Sequence, residues 1–124
     1  MFDGVPESVG QARGFVRLVL DGHDLLGEAE LVVSELSTNA LAHTVTGRPG
    51  GRFTVELEAC PGRVWAAVTD QGGHGEPAVP AGDPASPALE SGRGLFLVEA
   101  LSAKWGTEPA GPGRRVWAEI AGGA

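Results

Sequence analysis

The chain has 124 residues, which is enough for one compact domain and too few for two ordinary ones. Its formal net charge is −7 and its nine basic residues form no basic stretch, which argues against a surface that follows the phosphates of DNA or RNA. No apolar run reaches the roughly 20 residues that span a bilayer, and the first residues lack the basic and apolar parts of a signal peptide. Cys60 is the only cysteine. We therefore expect one cytoplasmic domain, residues 1–124, with no direct nucleic-acid partner, no membrane contact and no intramolecular disulfide.

Two amphipathic helices are predicted first. Pro6 opens a segment in which apolar residues recur at helical spacing until Asp21-Gly22 interrupts it. A second helical pattern runs from about Leu26 to Thr44 and ends before the glycine- and proline-rich residues 47–51.

A β-hairpin and a long loop are predicted next. Residues 52–59 alternate between apolar and polar side chains, as a strand with one wet face does. Pro61-Gly62 fits the centre of a tight turn, and residues 63–70 form the returning strand. Residues 71–91 are too rich in proline and glycine for a helix or a ladder strand, and we expect them to form a functional lid.

The remaining pattern predicts a third helix from about Gly92 to Lys104, followed by two short strands near Trp105 to Glu108 and Arg114 to Ile120. This order predicts an α+β fold: a two-layer sandwich of about three helices on a mixed, mainly antiparallel sheet.

Three polar residues of the second helix are spaced four apart, namely Glu35, Asn39 and His43, and so lie on one stripe of its surface. A carboxylate and a carboxamide oxygen side by side are suitable ligands for Mg²⁺, and the carboxylate can also take a proton from a hydroxyl group. The alternative is that the stripe is the solvated side of an ordinary amphipathic helix.

Asp70 ends the second predicted strand, directly before Gln71-Gly72-Gly73. A carboxylate there can accept a hydrogen bond from an exocyclic amine such as adenine N6, and Gly72 would let a flat base approach closely. An ordinary Asp-x-Gly turn is the alternative.

A Gly-x-Gly motif, Gly92-Arg93-Gly94-Leu95, opens the third helix, where free backbone N–H groups and the helix dipole point at any anion held there. The motif matches neither the P-loop nor the Rossmann fingerprint, so both of those nucleotide-binding interpretations fail.

The three motifs occur in one order: Glu-x-x-x-Asn-Ala-x-x-His on a helix, Asp-x-Gly after a strand, and Gly-x-Gly-Leu on a later helix. In this order they resemble the histidine kinase-like (GHKL) ATPases, which share the Bergerat-type ATP-binding fold. Within that family the chain looks most like the short bacterial anti-sigma-factor serine/threonine kinases. The resemblance extends to residues 103–106 and 113–117, which are similar to the last two strands of that group.

The resemblance implies ATP and Mg²⁺ as cofactors. It implies that Asn39 coordinates the Mg²⁺, that Glu35 is the general base or water-positioning residue, and that Asp70 binds adenine N6 with Gly72 beside the base. The other cofactor-binding positions that it implies are His43 and, at the hinge of the lid, Gly92, Arg93, Gly94 and Leu95.

Two departures from the family pattern are visible. Many relatives read Asp-x-Gly-x-Gly, whereas His74 stands at the second glycine here. Relatives also usually have a strand before the first helix, where this chain has only residues 1–5. We therefore expect one edge of the sheet to be missing or supplied by a partner.

The leading hypothesis is an ATP-dependent serine/threonine protein kinase of the partner-switching type. It would phosphorylate an antagonist protein and otherwise sequester a sigma factor, and by resemblance it would act as a homodimer. The alternative is a non-catalytic nucleotide-binding module that sequesters a protein partner. A third hypothesis, a zinc site built from His23, His43 and His74, has a spacing that fits no recognised pattern.

Overall fold

A computed structural model describes residues 1–43, 51–71 and 98–122. In these ranges the chain forms two long helices, α1 (Glu7–Val19) and α2 (Leu26–His43), and five strands. The strands are β1 (Phe2–Asp3), β2 (Arg52–Cys60), β3 (Arg63–Thr69), β4 (Lys104–Ala110) and β5 (Gly113–Ala121). A third helical segment covers residues 98–101. None of the helices in the described part of the chain is both long and apolar enough to cross a bilayer.

The strands form one sheet in the order β1-β2-β3-β5-β4, and each neighbouring pair is antiparallel. The helices cover one face of this sheet, which we call the helix side, and the opposite face is the outer face. This arrangement confirms the predicted α+β two-layer sandwich. Among the described strands no parallel pair occurs, so this part of the sheet is antiparallel rather than mixed.

Both hairpins turn at glycines with positive φ. Pro61 and Gly62 connect β2 to β3, and the φ of +74° at Gly62 suits the third position of a type II turn. Gly111, with a φ of +60°, and Pro112 connect β4 to β5. The first of these turns confirms the predicted hairpin.

The core lies between α1, α2 and the helix side of the sheet. α2 contributes Val32, Val33 and Leu36, which are at most 2% exposed. Every second residue of β3, from Val64 to Val68, lies on the helix side and belongs to the same core. Burying each such valine or leucine contributes roughly 1.5–3 kcal/mol. This burial holds α2 over β3.

An ion-pair cluster fixes which flank of α2 faces α1. The Glu30 carboxylate accepts hydrogen bonds from Arg13 at 3.1 Å and from Arg17 at 2.7 Å. The bond from Arg17 is the main cause that lowers the pKa of Glu30 below its usual value. The stability that this carboxylate contributes is therefore present above its unfolded-state pKa and is lost as the pH falls through the folded-state pKa.

His23 joins the α1–α2 loop to the β2–β3 hairpin. Its Nδ1 accepts a hydrogen bond from the Leu25 N–H at 3.0 Å, so its Nε2 carries the proton that it donates to the Cys60 carbonyl at 2.8 Å. The start of α2 is thereby attached to the turn end of the hairpin.

The outer face of the sheet carries ion pairs and two tryptophans. Arg115 lies between Glu56, at 3.1 Å, and Glu108, at 2.7 Å. Trp65 and Trp117 are both half-buried on this face. The Trp117 ring lies over Gly106, where a Cβ would come within 2.9 Å of the ring atom Cζ2. Gly106 thus leaves the space that the indole fills.

The expectation that one edge of the sheet is missing or supplied by a partner is wrong, because β1 occupies that edge. Phe2 pairs with Phe53 and Asp3 pairs with Arg52. The Phe2 ring also stacks on that of Phe53 with centroids 5.5 Å apart and meets Phe15 edge-on at 6.1 Å. Two residues suffice because this aromatic cluster, rather than a long ladder, holds the edge.

The predicted end of the third helix is also wrong. Helical structure stops at residue 101, and Lys104 already belongs to β4. The Ala103 N–H donates to the Glu119 carbonyl at 2.8 Å, so the chain has joined the sheet before the apolar periodicity of the helix runs out.

Replacing His23 tests its role in attaching the two layers. His23→Ala removes both ring hydrogen bonds, and we expect a loss of about 1–3 kcal/mol in the free energy of unfolding. Urea denaturation measures this loss. Asp21→Ala, an exposed change in the same loop, is the control and should stay within about 0.5 kcal/mol of the parent. Equal effects from the two variants would contradict the role of the imidazole.

Candidate functional site

The direction of α2 brings its C-terminal half to the end of β3. α2 starts at the hairpin turn, where β3 also starts, and lies along β3. From Leu26 to Asn39 the helix rises about 20 Å, and from Arg63 to Asp70 the strand rises about 23 Å. Asn39 and Asp70 therefore lie at the same end of the molecule.

Glu35 and Asn39 occupy the flank of α2 that faces away from α1. One helical turn separates them, and both lie on the opposite side of the helix from Glu30, which binds α1. Both side chains are half-buried. Because α1 lies over β1 and β2, this flank faces the β5 and β4 side of the sheet.

Asp70 is held by β5. Its N–H donates to the Arg114 carbonyl at 3.0 Å, and its Oδ1 accepts from the Arg114 N–H at 3.3 Å. The next residue, Gln71, accepts the Arg52 N–H at 2.8 Å through Oε1. The point at which the chain leaves β3 is thus tied to a strand on each side.

The pleat of β3 directs the Asp70 side chain to the helix side. Val64, Ala66 and Val68 are buried there, and Asp70 continues the same alternation. Its Cβ therefore points to the face that α2 covers, at the end where Asn39 lies, while Oδ1 stays within reach of the Arg114 N–H.

Gly113 is required next to Asp70 for steric reasons. A Cβ at residue 113 would overlap the Asp70 carbonyl oxygen and would lie 2.7 Å from the carbonyl carbon. Real Cβ atoms do not come so close, so only glycine allows β5 to start against the Asp70–Gln71 peptide.

Several predicted positions lie outside the described residues. These are Gly72, His74, Gly92, Arg93, Gly94, Leu95 and, apart from Gln71, the predicted lid. His43 is the last residue of α2, and its side chain is also outside the description. The described part of the candidate site therefore consists of Glu35, Asn39, Asp70 and the strand that holds Asp70.

His23 is not available as a ligand for the hypothetical zinc site. Both of its ring nitrogens take part in hydrogen bonds, which leaves no nitrogen for a metal ion. Within residues 1–43, 51–71 and 98–122, no group of three or more histidine, cysteine, aspartate or glutamate side chains is placed to hold a metal.

The sequence analysis did not single out Arg114 as a candidate site residue. It assigned Arg114 only to a strand, whereas the structure places it directly opposite Asp70 on β5. The signal was available: Arg114 shares the alternation of Val116, Ala118 and Ile120, which lie on the helix side. An arginine at the end of an inward-facing row marks a polar site.

The donor set fits a nucleotide with a divalent cation. Asn39 and Glu35 offer hard oxygen ligands on adjacent turns, and Asp70 offers a carboxylate acceptor for an amine. These groups lie at one end of the layer between α2 and the sheet.

Comparison with known proteins also indicates a nucleotide-binding domain. The sequence profile of the histidine kinase-like ATPase domain matches residues 3–119. An uncharacterized protein of Streptomyces coelicolor is 37% identical over 91 residues, which are 73% of this chain and 82% of that protein. The chain belongs to the histidine kinase-like ATPase domain family, whose members are ATP-binding modules of the GHKL type.

Solved structures agree on the fold. The histidine kinase domain of the Erythrobacter litoralis EL346 blue-light activated histidine kinase superposes with a TM-score of 0.57 and 24% identity, over 98% of this chain and 61% of that one. The catalytic domain of the histidine kinase ThkA gives a TM-score of 0.50 and 20% identity, over 80% of this chain and 67% of that one. The chain thus spans about three fifths of the Erythrobacter domain.

Changing Gly113 should disturb the site through the backbone. Gly113→Ala forces the Asp70–Gln71 peptide to move, and we expect it to lower the free energy of unfolding by about 1–3 kcal/mol. Gly14→Ala is the matched control, because a Cβ there meets nothing within 4 Å and alanine favours a helix by about 1 kcal/mol. In thermal unfolding, the melting temperature should fall for Gly113→Ala and rise for Gly14→Ala. A neutral Gly113→Ala would contradict the steric argument.

Proposed function

We propose that this chain is an ATP-dependent serine/threonine protein kinase of the anti-sigma-factor type, which binds ATP with Mg²⁺ and phosphorylates an antagonist protein. The observation that carries the proposal is the position of Glu35. Its carboxylate lies one turn from Asn39, on the flank of α2 that faces the β5 and β4 side of the sheet. A carboxylate at this position can take a proton from a substrate hydroxyl group, a step that a pure binding module does not require.

Each described residue then has a separate task. Asp70 accepts a hydrogen bond from the exocyclic amine of the base, and the bonds between Asp70 and Arg114 set its orientation. The Asn39 carboxamide oxygen would hold the cation. Bound ATP would supply the γ-phosphoryl group to the substrate oxygen and would leave as ADP when the bond to the β–γ bridging oxygen breaks. Glu35 takes the proton from the attacking hydroxyl group of the protein substrate.

The remaining predicted contacts extend the site toward the phosphates. In this proposal Gly72 lies beside the base. The residues assigned to the phosphate end are His43, Gly92, Arg93, Gly94 and Leu95. Free N–H groups at the start of the third helix would face the phosphate charges there.

The proposal also requires protein partners. They are a sigma factor, which the domain sequesters, and its antagonist, which the domain phosphorylates; the domain would act in the cytoplasm and as a homodimer. The net charge of −7 suits a partner with a basic contact surface, because opposite charges accelerate and orient the encounter.

A second candidate is a non-catalytic nucleotide-binding module that sequesters a protein. His74 favours it, because a side chain replaces the second glycine of the Asp-x-Gly-x-Gly pattern and so changes the wall of the adenine pocket. The two functions differ in whether phosphate is ever transferred.

The nucleotide site is tested through Asn39. Asn39→Ala should weaken Mg²⁺-dependent ATP binding at least about tenfold, because the cation loses a protein ligand. Calorimetric titration with ATP, with and without Mg²⁺, measures this change. Thr38→Ala, the exposed neighbour on α2, should bind ATP as the parent does. An absence of ATP binding by the parent protein would sink the proposal.

The chemical role is tested through Glu35. Glu35→Ala should leave ATP binding intact and reduce phosphate transfer by on the order of 10²- to 10⁴-fold, because the general base is lost. Radiolabelled ATP and the co-expressed antagonist give the readout. Glu28→Ala is the matched control, since Glu28 is two turns closer to the hairpin on the same flank. Partner sequestration without any transfer by the parent would favour the non-catalytic module.

A further inference from the structure

Asp70 and Arg114 form a directly opposed cross-strand pair. The ladder between β3 and β5 pairs Thr69 with Arg115, and the two hydrogen bonds between Asp70 and the Arg114 backbone continue it by one residue. Both side chains belong to the helix-side rows of their strands. Side chains opposed in this way have Cβ atoms about 4.5–5.5 Å apart, so both can reach the same ligand edge.

The two consecutive arginines of β5 have different surroundings. Arg115, on the outer face, is paired with Glu56 and Glu108. Arg114 is half-buried as a residue, and its guanidinium makes no hydrogen bond or ion pair with any residue in the described ranges. A guanidinium without a partner among the described residues, beside a proposed ligand site, is a group that a ligand can satisfy.

The pair offers an acceptor beside a donor. A carboxylate only accepts hydrogen bonds and a guanidinium only donates them. The Watson–Crick edge of adenine presents the complement, with the N6 amine as donor next to the N1 acceptor. Guanine presents the reverse order, with the O6 acceptor next to the N1–H donor. With the base oriented so that its 6-substituent meets Asp70, the pair therefore matches adenine and opposes guanine.

We infer that Arg114 is a base-reading residue that donates a hydrogen bond to N1 of adenine while Asp70 accepts one from N6. The two side chains together set a preference for adenine over guanine nucleotides. This inference rests on the proposed ATP site and adds to it the residue that determines base specificity. A buried polar group left unpaired by the wrong base is an effective basis for rejecting that base.

The test compares ATP with 1-deaza-ATP, in which a carbon replaces N1, and with GTP. Calorimetry on the parent protein should show binding of 1-deaza-ATP at least about tenfold weaker than that of ATP, and GTP weaker still. Arg114→Met should bind ATP about tenfold more weakly and should bind ATP and 1-deaza-ATP equally. Arg63→Met, which removes an exposed arginine from the outer face, should retain the parent's preferences.

The comparison separates direct contact from a structural effect. If Arg114 only supported the position of Asp70, its replacement would weaken ATP and 1-deaza-ATP in the same proportion, and the inference would be overturned. A parent protein that binds ATP and 1-deaza-ATP equally would overturn it too while leaving the ATP site standing, and that measurement holds even if Arg114→Met unfolds. A parent protein that binds no nucleotide would overturn the proposed function as well.

Discussion

The direction in which α2 lies on the sheet decides whether the polar groups of the helix and those of the sheet come together at one end of the molecule. Burial of Val32, Val33 and Leu36 holds the helix over β3, but apolar packing alone would also accept the reversed direction. The short loop from α1 and the His23–Cys60 hydrogen bond make α2 start at the hairpin turn. Without that direction, Asn39 and Asp70 would lie at opposite ends of the molecule.

The site is prepared before any ligand binds. Asp70 is bonded to β5 and Gln71 to β2, and Gly113 leaves the space that this contact needs. A carboxylate whose orientation is already set loses less conformational entropy when a ligand binds. This arrangement restricts residue 113 to glycine, because a side chain there would clash with the Asp70 backbone.

The sequence predicted the elements whose patterns are local. The alternation of residues 52–59 and the Pro61-Gly62 turn specified the hairpin, and helical spacing specified α1 and α2. The stripe of Glu35 and Asn39 followed from the same spacing, and their roles remain predictions.

Features that depend on contacts between distant parts of the chain could not be predicted from local sequence patterns. β1 is only two residues long and depends on the contact of Phe2 with Phe53, which no local pattern reveals. The end of the third helix depends on a hydrogen bond to Glu119 in another strand. The alternation along β5 assigns Arg114 and Arg115 to opposite faces, but only the register between β3 and β5 shows that Arg114 lies opposite Asp70.

The division of the sheet into two faces also separates its fluorophores. The chain has three tryptophans and no tyrosine, so its ultraviolet emission arises from indole groups alone. Trp105 packs against the core on the helix side, whereas Trp65 and Trp117 lie on the outer face. Emission from Trp105 would respond to events in the layer that contains the proposed nucleotide site, and emission from the other two would respond to any protein that covered the open sheet. With Trp105 or the outer pair replaced by phenylalanine, one intrinsic signal could follow ligand binding and partner binding separately.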